Sequence, residues 1–205
     1  MPTDLAVSAV RDAFVAHYRG EWEMPPKVYV TNYPAGDFRA MPALGDGHAL
    51  LKWISSFPGN PQRGLPTVSG VVLLSNAATG ELEAVFDAGA LTALRTGAAA
   101  VLAAETLGRA DAVTAAVVGA GVNGRAAARM FADRGRTVSI WDLDPARARL
   151  AAEELGATAA TSLESALGAD LLVTVTPGQA VLLAAGSLSA GQHVSLMGAD
   201  GPGKA

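Results

Sequence analysis

Arg95, in "ALTALRTGAA", stands inside an alanine-rich stretch that reads as a helix. Arginine forms helices well, but near a helix N-terminus its charge opposes the positive end of the macrodipole. An anion arriving there could use the fork of the guanidinium, the dipole and the exposed amides together, and the fork suits a carboxylate best. A salt bridge to an acid of the chain itself is the competing reading. Lys52, in "HALLKWISSF", raises the same question on a strand. Alternation places it on the face of Leu50 and Ile54, where an ammonium needs a partner or must reach the edge. The carboxylate of an α-amino acid would satisfy both cations. Asp200, in "HVSLMGADGPGK", lies just past the end of a strand, where it could carry protons to and from an amine or activate water. A turn-forming Asp-Gly is the plainer alternative there.

A second constellation concerns phosphate. "VVGAGVNG" carries G-x-G-x-x-G as Gly119, Gly121 and Gly124, with Ala120, Val122 and Asn123 between them. An apolar strand precedes it, a helix follows, and the next strand ends at Asp142 with the spacing expected of a dinucleotide fingerprint. Gly119 would permit the tight turn, Gly121 the approach of a pyrophosphate, and Gly124 close packing of helix on strand. The helix N-terminus supplies amide donors. Asp142 would accept from the adenosine ribose hydroxyls, favouring NAD over NADP. Thr174 and Thr176, in "TVTP", fall by topology near the ribose or nicotinamide, with β-branched strand packing an equal reading.

These residues require two kinds of scaffold. Val7, Val10, Phe14 and Tyr18 recur at helical spacing, ended by Gly20 and "MPP". Strand-like runs follow in "KVYVTN", "HALLKWISSF", "GVVLLSN" and "LEAVFD", the last two joined by a hairpin loop with Gly80. "YPAGDFRAMPALGDG" and "FPGNPQRGLPT" read as long loops that could wall a site. A helix is expected over about Ala90 to Gly108. Beyond it strands and helices alternate, which gives a parallel sheet covered by helices. The fold class expected is α/β: a Rossmann-type domain over 108–205, preceded by a mixed α+β substrate and dimerisation domain over 1–107.

Composition narrows the function. The net charge is −4 and no long Lys/Arg run occurs, which argues against a nucleic-acid footprint. Cysteine is absent, so disulfides and thiolate metal sites are excluded, and His17, His48 and His193 lack ligand spacing. No metal is expected. The first residues lack the basic start and apolar core of a signal peptide, and no apolar run is long enough to span a bilayer. A cytoplasmic protein with no membrane partner is expected.

"DFRAMPA", "LLKWISSFPGNPQRGLPT", "LTALRTGAAA", "VVGAGVNG" and "MGADGPGK", in that order, resemble the ornithine cyclodeaminase/mu-crystallin family. The resemblance covers essentially the whole chain. It implies a homodimeric NAD(H)- or NADP(H)-linked enzyme of the amino-acid dehydrogenase, ketimine reductase or cyclodeaminase kind. Its small-molecule substrate would be an amino acid, a 2-oxo acid or a cyclic imine. It implies that Lys27, Lys52 and Arg95 bind the substrate carboxylate, with Thr67 at another pocket position and Asp200 as the catalytic acid, Lys52 assisting. Where ornithine cyclodeaminases carry an acid, two positions before "MP", this chain has Arg39, which shifts weight towards dehydrogenase or ketimine reductase. The family also continues past "GADGPGK", so both domains are expected to be incomplete on that side. The alternative is a homologue that binds NAD(P)H or a small ligand without turnover.

Overall fold

The computed structural model describes residues 1–176 and 181–198. Packing divides the chain into two compact units, Met1–Val10 with Ala93–Ala205, and Arg11–Thr92. The first helix, α1 (Thr3–Tyr18), and the helix α2 (Ala88–Leu107) each run across this division. The division differs from a boundary at 107/108 because Ala98, Ala100, Val101, Leu102 and Ala104 of α2 are buried in the core of the larger unit. A division by function at 107/108 remains a proposal.

In the Arg11–Thr92 unit, β1 (Val28–Asn32), β2 (Gly36–Gly45), β3 (His48–Ser56), β4 (Val68–Asn76) and β5 (Leu82–Asp87) form an antiparallel meander in sequence order. The stretch read as a long loop is mostly strand. Pro42 lies within β2, and the ladder runs unbroken from Asp37↔Ser56 to Gly45↔His48. Proline and glycine masked a strand whose side chains still alternate in register. "FPGNPQRGLPT" does remain irregular apart from a short 3₁₀ turn, Asn60–Arg63. Asp87 Oδ1 accepts the Ala90 N–H at 2.7 Å, so a side chain already caps the start of α2, two residues earlier than expected.

The other unit holds a parallel sheet of β6 (Thr114–Val118), β7 (Thr137–Trp141), β8 (Thr158–Ala159), β9 (Leu171–Thr174) and β10 (His193–Leu196), in the order β8-β7-β6-β9-β10. Counted along the chain this is 3-2-1-4-5, with reversal between β6 and β9. The helices α3 (Val122–Asp133), α4 (Pro145–Leu155) and α5 (Leu163–Leu167) connect the strands. The two-residue β8 and the five-residue α5 lack enough periodicity to be seen in sequence. Phe131, Ile140, Leu171 and Leu172 are fully buried, each contributing roughly 1.5–3 kcal/mol.

At the N-terminal ends of β6 and β9, Asp170 clamps the sheet. Its Oδ2 accepts the backbone N–H groups of Thr114 and Val113, both at 3.0 Å, and the Thr114 hydroxyl at 2.8 Å. Those donors, the Thr114 amide foremost, with Arg109 alongside, hold the Asp170 pKa down at about 2. Folding therefore favours the ionised acid. The stabilisation is complete above the ordinary aspartate pKa and is lost as pH falls from about 4 towards 2. Melting followed by circular dichroism should show a steeper loss of Tm across that window in the wild type than in Asp170→Asn.

Candidate functional site

The glycine loop leaves β6 at Gly119, whose φ of +113° a side chain rarely adopts. A Cβ on Gly124 would lie 1.8 Å from the Gly119 carbonyl oxygen, so α3 can approach β6 only with glycine there. Gly121, the N-cap of α3, behaves differently. Its φ is −74°, nothing lies within 4 Å of an added Cβ, and no side chain caps the helix. The first amides of α3, at Val122, Asn123 and Gly124, have no side-chain cap, and the space beside Gly121 is open, a ready place for a phosphate. A dinucleotide fits this set of donors.

Asp142 closes the end of β7 and does more than expected. Its Oδ2 accepts the Ala120 N–H at 2.7 Å and its Oδ1 the Asp144 N–H at 2.9 Å, pinning the loop. Each carboxylate oxygen keeps a second lone pair for a ribose hydroxyl. Thr176 stands beside the loop, its methyl 3.2 Å from where a Gly119 Cβ would be. Thr174 is buried at the end of β9, and its carbonyl accepts from Met197 at 2.9 Å and Gly198 at 3.0 Å. Both threonines lie at the switch between β6 and β9, as topology required.

Arg95 belongs to the same unit. It is the eighth residue of α2, about 12 Å along the axis, where the macrodipole has faded. The cap at Asp87 also occupies an amide once expected to be open. What remains is stronger than the dipole argument: among the described residues no hydrogen bond or ion pair reaches its guanidinium. Desolvation by burial lowers its pKa from the ordinary arginine value, although the side chain still meets solvent. The next residue, Thr96, is buried with a hydroxyl that finds no partner among the described residues. Sequence gave no warning of Thr96, because a helical threonine ordinarily bonds back to a carbonyl, as Thr106 does to Leu102.

In the Arg11–Thr92 unit, register brings several cations to one sheet face. Arg39 pairs with Tyr29 and Ile54, and Lys52 pairs with Met41 and Val72, so all six side chains share that face. Lys52 is half-buried among Ile54, Val72 and Met41, and its Nζ donates to Thr92 Oγ1 at 2.7 Å. The ammonium has a partner on α2 and does not simply reach for the edge. Lys27 is exposed, with Nζ 5.4 Å from the Tyr29 ring centroid, and Arg39 meets the same ring at 5.4 Å. Buried Asp37 holds Arg39 through Oδ1 at 2.6 Å and Oδ2 at 3.2 Å. Alternation in "GDFRAMP" would have placed Asp37 and Arg39 on the Lys52 face once β2 was recognised. Thr67 precedes β4, half-buried, its carbonyl accepting the Phe57 N–H at 2.8 Å. Asp200 lies outside the described residues.

Among the described residues no cluster of His, Asp or Glu could hold a metal ion, and no helix is long and apolar enough to cross a membrane.

Known proteins share this fold. An alanine dehydrogenase of Archaeoglobus fulgidus is 40% identical over 98% of this chain and 64% of its own length. An archaeal alanine dehydrogenase dimer solved with bound NAD superposes with a TM-score of 0.91 at 38% identity, over 99% of this chain and 65% of that one. A Thermococcus litoralis Δ1-pyrroline-2-carboxylate reductase, solved with NADH and L-proline, gives 0.85 at 26% identity, over 95% and 64%. The chain thus spans just under two thirds of the length of these relatives. The pattern describing one family matches residues 2–205, and the chain belongs to the ornithine cyclodeaminase/mu-crystallin family.

Proposed function

We propose that this chain supplies the dinucleotide site and the carboxylate-binding groups of an NAD-linked oxidoreductase acting on an α-amino acid or its imine. The observation that carries the reading is the uncapped N-terminus of α3 beside Gly121, with Asp142 at the neighbouring strand end. Gly119 to Gly124 hold the pyrophosphate, Asp142 the adenosine ribose, and Thr174 and Thr176 flank the cofactor's other half. The NAD- and NADH-bound relatives support the same cofactor here. Held there, the dinucleotide would supply hydride to the substrate α-carbon or accept it from there.

Lys27, Lys52, Thr67 and Arg95 hold the substrate, the three cations orienting its carboxylate so that little orientational freedom remains to be lost in the reaction. Asp200 moves amine or water protons. On the Lys52 face the acid, Asp37, is already engaged by Arg39 and is not open to a second amine, which favours an oxo acid or imine over a diamine such as ornithine. The opposite sheet face carries Val28, Trp53 and Val71 in register, all exposed, with Val30 and Val85. An apolar face of this kind fits a second copy of the chain, and a homodimer is part of the proposal.

Nicotinamide absorbance followed with 2-oxo acids plus ammonia, cyclic imines and ornithine tests the reading. Turnover of a member of the first two classes is expected, from a protein that runs at twice the chain mass in light scattering. NADH binding with no turnover on any substrate would instead mark a ligand-binding homologue.

A further inference from the structure

Ala120, the residue between the first two glycines of the loop, is gripped from both sides. Its N–H donates to Asp142 Oδ2 at 2.7 Å, and its carbonyl accepts from Arg125 Nε at 3.3 Å. Arg125 stands on α3, and its guanidinium also pairs with Glu154 near the far end of α4. At the near end of α4, Asp144 accepts the Ala146 N–H at 2.9 Å, while its own N–H donates to Asp142. The contacts therefore form a ring that runs from the loop through Asp142, Asp144, α4, Glu154 and Arg125 back to the loop.

One consequence of this ring concerns cofactor choice. Because they engage the same alanine, the Asp142 carboxylate and Arg125 Nε lie within about 10 Å of each other, by bond lengths in series. A strand-end acid reads the ribose hydroxyls of NAD, and an arginine nearby accommodates the 2′-phosphate of NADP. This chain has both groups, with the arginine turned onto a glutamate. We propose that Glu154 is a specificity-determining residue: by engaging Arg125 it withholds that guanidinium from a 2′-phosphate and so disfavours NADPH. The proposal rests on the NAD-linked reading above.

The pair is open to exchange. The Arg125 and Glu154 side chains are 28% and 51% exposed, so solvent and a phosphate can reach them. Partly exposed pairs contribute little to stability, and releasing the arginine leaves its bond to the Ala120 carbonyl available to hold the loop. Arg147, in the first turn of α4, is a second exposed arginine in this region and must be separated from Arg125 by experiment.

Nicotinamide fluorescence titrations with NADH and NADPH on the wild type, Glu154→Gln and the double variant Arg125→Gln/Glu154→Gln make that separation. Glu154→Gln should tighten NADPH about three- to five-fold relative to NADH, the scale of a partly exposed charge pair. The double variant should lose the gain. An unchanged NADPH to NADH ratio in Glu154→Gln overturns the proposal, as does a gain that survives Arg125→Gln and so belongs to Arg147. A wild type that binds neither dinucleotide overturns the NAD-linked reading, and this inference with it.

Discussion

Arg95→Ala should lower kcat/KM by at least about 100-fold, on the order of 3 kcal/mol of lost transition-state binding, while leaving the NADH Kd within a few-fold. The size follows from the state of the side chain. An exposed arginine with no hydrogen-bond or ion-pair partner among the described residues can give both arms of its fork to a carboxylate, and truncation removes both bonds at once. Arg95→Lys should recover only part of the loss, since an ammonium cannot reproduce the fork. If activity falls in parallel with NADH affinity, the arginine serves the cofactor and its assignment to the substrate carboxylate is wrong. Unchanged kinetics would remove it from the site altogether.

The last two glycines of the loop should respond in opposite ways to the same added methyl group. Gly124→Ala drives a Cβ to 1.8 Å from a backbone oxygen, and no rotamer can relieve that contact. Helix α3 must back away from β6, and a destabilisation of about 3 kcal/mol or more is expected, read as a fall in Tm. Gly121→Ala meets nothing within 4 Å and needs no unusual φ. It should melt within a few degrees of the wild type yet weaken NADH binding about ten-fold or more, by standing where the pyrophosphate approaches. Equal NADH affinity in wild type and Gly121→Ala would show that nothing approaches the loop at that point.

Much of this was legible in the sequence because the parallel sheet advertises itself. The runs "AAVV" and "LLVT" are apolar on both faces, and the glycine spacing is rigid because each glycine answers a different steric demand. The meander was harder to read. In β2, Pro42 and the glycines at both ends imitate loop chemistry, so the strand carrying Arg39 was missed and the cationic face with it. Lys52 was placed on the correct face by alternation alone, but its bond to Thr92 depends on a residue forty positions away. Asp142 was found by spacing, whereas its hold on Ala120 and the ring through Glu154 depend on how two helices cross. Such contacts leave no period in the chain.

The clamp at Asp170 also bears on the order in which the sheet assembles. It joins Thr114 to a residue 56 positions later, whereas β6, α3 and β7 are consecutive elements. Closing the longer loop costs more chain entropy before any contact rewards it. The β6-α3-β7 unit is therefore expected to form first, with β9 docking onto an existing edge. On a growing chain, the apolar edge of β6 waits uncovered until the clamp has been synthesised, and the clamp acts as a late lock that slows unfolding more than it speeds folding.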